Sequence, residues 1–263
     1  MCPLLQAYGQ RPKFHFPTHS RRRNFGYSHA MQPDIQTIVI LTGAGISAES
    51  GLATFRGPDG LWEGHRVEDV CTPEALARNP ALVHRFYDER RTTLATVFPN
   101  PAHEALAALD AAWPGELLIV TQNVDDLHER AGAKRLIHMH GELQSALCAA
   151  CGKAVPWTQA LPPGTVCTGC GQPRLRPDIV FFGEMPYQMD AIDEAVRRAD
   201  LFVSIGTSGA VYPAAGFVQT ARHVGARTLE LNLDPSAGSI YFEDSRLGPA
   251  SQLVPQLVQE LLG

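Results

Sequence analysis

Five short apolar runs, at residues 37–41, 117–120, 135–138, 201–205 and 228–231, stand out along the chain and predict buried strands. Helical patterns separate several of them, as at 102–112 and 191–199, and that alternation predicts a parallel, doubly wound α/β sheet. The residues just past each run are more informative. The first run ends in Thr42-Gly43-Ala44-Gly45, the second in Thr121-Gln122-Asn123 and the third in His140-Gly141. The fourth ends in Gly206-Thr207-Ser208 and the fifth in Asn232-Leu233-Asp234. Open α/β sheets bind ligands at the carboxyl ends of their strands, so five polar endings together predict a site there.

Residues 57–100 and 143–178 break this rhythm. They read as two insertions that pack together into a smaller lobe, leaving 34–56, 101–142 and 179–263 as the sheet-bearing domain. The second insertion carries Cys148-x-x-Cys151 and Cys167-x-x-Cys170, the two pairs separated by 15 residues. That spacing fits a four-cysteine zinc ribbon, in which thiolates fill all four positions and the metal is structural. Cys2 and Cys71 stand outside the pattern. Two paired sets are metal-site arithmetic rather than a disulfide framework and suit a reducing compartment.

Gly43-Ala44-Gly45-Ile46-Ser47-Ala48 fits G-x-G-x-x-A between a strand and a helix start, where glycines admit a pyrophosphate and the helix end supplies N–H donors. Alone, the pattern is equally a tight turn. A simple nicotinamide dehydrogenase places an acid on a second strand about 20 residues on. Here the loop-like Ala53-Thr54-Phe55-Arg56-Gly57-Pro58 stands in that place, which counts against hydride transfer.

Composition narrows the partners. The 263 residues are 44% hydrophobic and 19% charged, as expected of a globular protein with a sizeable core, and no apolar run approaches a membrane span. Residues 1–30 contain Arg11, Lys13, Arg21, Arg22 and Arg23 and no acid, so a net charge of −5 for the whole chain leaves an acidic body. That body argues against a stable nucleic-acid complex. Residues 1–33 read as a basic, disordered extension. Their arginines would also suit a transit peptide, but Pro3, Pro12 and Pro17 spoil an amphipathic helix.

Gly43-Ala44-Gly45-Ile46-Ser47, Thr54-Phe55-Arg56, Thr121-Gln122-Asn123-Val124-Asp125, His138-Met139-His140-Gly141 and Gly206-Thr207-Ser208 occur in the order found in sirtuins. From about residue 37 onward the chain resembles that family, and most closely its class III branch. The resemblance implies a Rossmann-like doubly wound parallel sheet with a small zinc-ribbon and helical lobe formed by two insertions. It implies NAD as co-substrate, one structural zinc, and acyl-lysine proteins or peptides as substrates. In family chemistry nicotinamide leaves, the acyl oxygen attacks the ribose carbon, and free lysine and O-acyl-ADP-ribose result.

Residue by residue, the resemblance makes His140 the general base, with Asn123 beside it in catalysis, while His138 is structural. Gln122 and Asn123 face the nicotinamide ribose and Asp125, after Val124, holds the carboxamide. Gly43, Ala44, Gly45, Ala48, Glu49, Thr54, Phe55, Arg56 and Trp62 belong to the NAD set. So do Gly206, Thr207, Ser208, Asn232, Leu233, Asp234 and Ala250, although for Asp234 a turn role is equally open. Phe182-Gly183-Glu184 and Gly209-Ala210-Val211-Tyr212 would border a peptide that adds as a strand between the lobes.

Tyr87 and Arg90 match the Tyr-x-x-Arg with which the class III branch holds acidic acyl groups, for which a guanidinium is a bidentate partner. Cys71 replaces the alanine common before Thr72-Pro73, a change that could narrow the acyl pocket. The expected activity is therefore deacetylation together with desuccinylation or demalonylation, in the cytoplasm, or in the mitochondrial matrix if the extension is a transit peptide. Mono-ADP-ribosyl transfer and a non-catalytic binding module are the rival readings. No feature demands a dimer, so a monomer is expected.

Overall fold

The computed structural model describes residues 35–54, 62 and 64–263. The extension assigned to 1–33 and the loop residues Phe55 and Arg56 lie outside the described residues.

The strands are β1 (Thr37–Thr42), β2 (Glu116–Thr121), β3 (Leu136–His138), β4 (Gly141–Cys148), β5 (Ala154–Pro156), β6 (Leu175–Ile179), β7 (Leu201–Ile205), β8 (Arg227–Asn232) and β9 (Asp244–Leu247). The helices are α1 (Ala44–Ala48), α2 (Val67–Val70), α3 (Pro73–Arg78), α4 (Pro80–Leu94), α5 (Pro101–Ala112), α6 (Leu127–Ala131), α7 (Met189–Arg198), α8 (Phe217–His223) and α9 (Ala250–Leu262). Among the described residues, six strands pair in parallel in the order β3-β2-β1-β7-β8-β9. The order reverses between β1 and β7, which makes their carboxyl ends the topological switch point where such sheets hold dinucleotides.

All five apolar runs lie in this sheet, and alternation within them sends successive side chains to opposite faces. Ile38 and Ile40 of β1 face a core with Ile119, Val203, Leu231 and residues of α5 and α9. Val39 and Leu41 face the other, with Phe202 and residues of α7 and α8. Both faces are covered, so most positions are apolar, with Ser204, Thr228 and Glu230 as buried polar exceptions. β9 has no apolar run because none of its residues is fully buried. The inner end of its contact is polar: Ser245 Oγ donates to the buried Glu230 of β8 at 3.0 Å.

A second sheet, antiparallel in the order β5-β4-β6, was not foreseen from the sequence. Its strands carry Gln144, Ser145, Arg176 and Pro177 within them, so neither a period of two nor an apolar run shows. Gly141 starts β4 at φ +85°, and a Cβ there would fall 2.1 Å from Asp178 O, so only glycine fits the crossing. Helix α4 packs Phe86, Tyr87 and Leu94 against Leu143, Ile179 and Phe181.

Candidate active site

One cavity of about 760 Å³ opens at the switch point and touches the residues just past β1, β2, β3, β7 and β8. Its size lies within the usual range for ligand pockets. Of the NAD set, Gly43, Ala44, Gly45, Ala48, Glu49, Thr54, Trp62, Gln122, Asn123, Val124, Asp125, Gly206, Thr207, Ser208, Asn232, Leu233, Asp234 and Ala250 all line it, together with His140.

The glycines allow two strand ends to cross. A Cβ on Gly45 would come 2.6 Å from Gly206 Cα, and one on Gly43 would come 2.8 Å from Gly206 O. Gly43 N–H donates to Ile205 O at 3.0 Å and Gly45 N–H to Gly206 O at 2.9 Å, locking the turn after β1 to the turn after β7. Asn232 continues the line, its Nδ2 donating to Thr207 O at 2.8 Å. Glu49 is held differently: it accepts Ser251 N–H at 3.0 Å and Ser251 Oγ–H at 2.5 Å, so its carboxylate fixes the start of α9 while lining the cavity.

The polar floor is preorganised. Asn123 Nδ2 donates to Gly43 O at 3.2 Å and to Ser47 Oγ at 3.1 Å, which leaves Oδ1 as the acceptor this amide can offer. Ser47 Oγ–H donates to Asp125 Oδ2 at 3.0 Å, and Leu127 N–H donates to Asp125 Oδ1 at 3.2 Å. Burial pushes the Asp125 carboxyl up, those two donors pull it back, and the net direction is upward. Beneath lie two buried histidines, His103 and His128, with ring centroids 5.0 Å apart. His103 Nδ1 accepts Asn100 N–H at 3.3 Å, so its Nε2–H faces Ser47 Oγ at 3.4 Å. His128 Nε2 lies 3.0 Å from Thr42 Oγ1. Burial drives the pKa of His103 down to about 4 and that of His128 to about 3, so both are neutral supports. Sequence reasoning missed this layer. Its one local signal was the capping box of Asn100 and His103 at the start of α5.

His140 sits in the two-residue turn between β3 and β4. Its Nδ1 lies 3.2 Å from Gln122 O. A carbonyl only accepts, so Nδ1 carries the proton and Nε2 keeps its lone pair. Burial lowers the His140 pKa, partly opposed by the bond to Gln122 O, and the neutral imidazole predominates at pH 7. His138, two residues earlier, behaves oppositely. Burial pulls it down, but the Glu129 carboxylate at 2.6 Å outweighs that and raises its pKa.

On the far wall Arg90 is largely buried. Its guanidinium lies 3.3 Å from the centroid of Phe86, and Nη1 donates to Phe86 O at 2.6 Å. Asp88 pairs instead with Arg91 at 2.5 Å. Tyr87 is not among the lining residues: it is fully buried, edge-on to Phe86 and stacked near Phe181, with its hydroxyl against the Cys71 thiol. Cys71 itself reaches the cavity, and burial pushes its thiol up to about 11. Ser47, Thr93, Leu143, Phe181 and Pro235 also line the cavity without having been singled out as binding residues.

The four paired cysteines converge. Their sulfurs lie within 4.8 Å of one another, with Cys148 Sγ 3.6 Å from Cys170 Sγ and Cys151 Sγ 3.9 Å from Cys167 Sγ. A tetrahedron with metal–sulfur bonds of about 2.3 Å has edges of about 3.8 Å, so the sulfurs fit a zinc ion. Each pair closes on a glycine of positive φ, Gly152 N–H donating to Cys148 O and Gly171 N–H to Cys167 O, both at 2.8 Å. Burial raises the Cys148 thiol, but the backbone N–H groups of Cys151 and Ala150 outweigh it and bring it to about 6.

A family model described as the Sir2 family matches residues 43–213. A protein of Caulobacter vibrioides named NAD-dependent protein deacylase is 53% identical over 87% of this chain and 98% of its own length. A protein of the same name from Vibrio parahaemolyticus is 54% identical over 86% of this chain and 95% of its own. Among solved structures, a Sir2 homologue–NAD complex matches with a TM-score of 0.79 and 39% identity, over 86% of this chain and 89% of that one. A Sir2–p53 peptide–NAD+ complex matches with a TM-score of 0.73 and 29% identity, over 86% and 94%.

Proposed function

The chain belongs to the Sir2 family and is an NAD-dependent protein deacylase, and from that premise we propose that it removes both acetyl and acidic acyl groups from lysine. The acyl group passes to ADP-ribose and nicotinamide is released. Substrates are acyl-lysine proteins or peptides, met in the cytoplasm. We assign 34–56, 101–142 and 179–263 to the nucleotide-binding domain and 57–100 with 143–178 to a lobe held by one structural zinc at Cys148, Cys151, Cys167 and Cys170. No helix among the described residues is long and apolar enough to cross a membrane.

Bound NAD supplies the acyl acceptor, its ribose taking the acyl group once the bond to nicotinamide is broken. This chain's residues do the rest. His140 Nε2 takes a proton from a ribose hydroxyl, being unprotonated and fixed in tautomer by Gln122 O. Asn123, clamped through its Nδ2, orients the same sugar through Oδ1. Asp125 accepts from the carboxamide beside its existing donors Ser47 and Leu127. The crossed glycine turns would offer backbone, rather than side chains, to the phosphates.

The observation that carries the acyl reading is a mostly buried guanidinium, Arg90, on the wall of the cavity that also holds His140. An arginine in that setting pairs with a carboxylate at the end of an acyl chain. Tyr87 supports it from behind by packing against Phe86. Comparing acetyl-, succinyl- and malonyl-lysine peptides with and without Arg90→Met tests this. A charge-assisted bond of about 1.5–3 kcal/mol predicts a loss of about 10- to 100-fold for succinyl and malonyl turnover, with acetyl turnover little changed. Equal losses on all three would remove the acyl assignment and leave the family intact.

A further inference from the structure

Three side chains from three elements meet away from both the cavity and the cysteines. Glu129 of α6, His138 at the end of β3 and Glu142 of β4 bring one imidazole nitrogen and two carboxylate oxygens within 4.8 Å of one another. All three stand on regular elements, so the cluster is held by the fold rather than by a loop. The His138 side chain is 8% exposed and that of Glu129 is 39% exposed, so the cluster is rooted in the protein and open to solvent on one side.

The imidazole is set as a ligand. His138 Nδ1 lies 3.1 Å from Asn123 O, a bond in which the ring nitrogen must donate, and this aims Nε2 at Glu129 Oε1, 2.6 Å away, where a metal ion would displace the proton the two atoms share. Metal-binding histidines characteristically donate their other ring N–H to a backbone carbonyl or carboxylate, which fixes the ring and the tautomer. The donor set also selects among metals. Carboxylates alone suit magnesium or calcium, whereas an imidazole with two carboxylates suits a borderline transition ion.

We propose that Glu129, His138 and Glu142 form a second divalent-cation site for an ion such as zinc, with three protein ligands and a fourth position left to water. It is separate from the four-cysteine cluster, and neither glutamate lines the cavity. Its occupant ties α6 to β3 and β4 and, through the Nδ1–H bond, braces the carbonyl of Asn123.

The test uses the full chain with one zinc already bound at the cysteines. Equilibrium dialysis against zinc, followed by metal analysis, should find a second ion, and added zinc should raise the melting temperature. In Glu142→Gln and Glu129→Gln the second ion should bind at least about tenfold more weakly, and the zinc-dependent rise in melting temperature should shrink accordingly. Both variants should keep the first zinc, and their turnover without added metal should stay near that of the parent. Magnesium at the same concentration should give no rise. If no second ion is bound, or both variants bind it as tightly as the parent, the cluster is an ion pair only and the proposal falls.

Discussion

The parallel sheet buries Ile38, Ile40 and Val203 on one face and Val39, Leu41 and Phe202 on the other, between helices on both sides. The cysteine end of the antiparallel sheet closes over a cluster of only five buried residues, two of them Cys148 and Cys167, while Leu143 and Ile179 at its other end join the α4 core. Burial of a large aliphatic side chain contributes about 1.5–3 kcal/mol, so the first region can stand on its apolar core. The cysteine end cannot, and the proposed zinc on four thiolates, worth on the order of 10 kcal/mol in small domains, would supply what its core lacks. The cavity draws on both regions: one end is built from parallel strand ends, while Leu143 and Ile179 come from the other sheet.

The sharpest way to break this comparison is to remove the metal. Chelation, or Cys151→Ser, should unfold the antiparallel sheet and lower deacylation by more than about 100-fold, while ADP-ribose binding, read by calorimetry, persists within about tenfold. Loss of both together would mean that the two regions unfold as one unit. Next in size, Ile40→Ala should cost about 2–5 kcal/mol in chemical denaturation, because Ile40 is fully buried in the parallel sheet's core.

A third effect concerns acid. His103 and His128 have folded pKa values lowered to about 4 and about 3, below the ordinary 6.5. Below pH 6.5 the unfolded chain therefore binds more protons than the folded one. Their contribution is intact above pH 6.5 and is lost as pH falls toward 4, by up to about 1.4 kcal/mol per pH unit for each. Denaturation midpoints across that range check it, and His103→Gln should flatten the slope. The smallest effect is local: Asn100→Ala, which removes the cap of α5 and the bond from Asn100 Nδ2 to Ile46 O at 2.8 Å, should cost about 1–2 kcal/mol.

These contrasts also explain what could be read along the chain. Strands buried on both faces are mostly apolar, so β1, β2, β3, β7 and β8 were visible, and their polar endings pointed to the cavity. β4 and β6 were not, because side chains such as Ser145 and Asp178 bond to each other at 2.7 Å and leave no alternating pattern. The cysteine pairs were legible from spacing, since a metal site needs only four sulfurs at fixed intervals. The His103–Ser47–Asp125 layer was not, because its members come from α5, α1 and the loop after β2 and meet only in the fold. Likewise, the motif named Tyr87 and Arg90 together, three residues apart on α4. Packing then placed Arg90 on the cavity wall and Tyr87 behind it.

Neutral His140, held by Gln122 O, is the proposed base for acyl transfer in this cavity. The direct measurement is nicotinamide, freed lysine and acyl-ADP-ribose formed from NAD and an acetyl-lysine peptide, followed from pH 5 to 9 for the parent and for His140→Ala. The parent should form the three products in equal amounts, with turnover falling on the acid side through a pKa below 6.5, and His140→Ala should form almost none. Nicotinamide release without freed lysine, or undiminished turnover in His140→Ala, would contradict it.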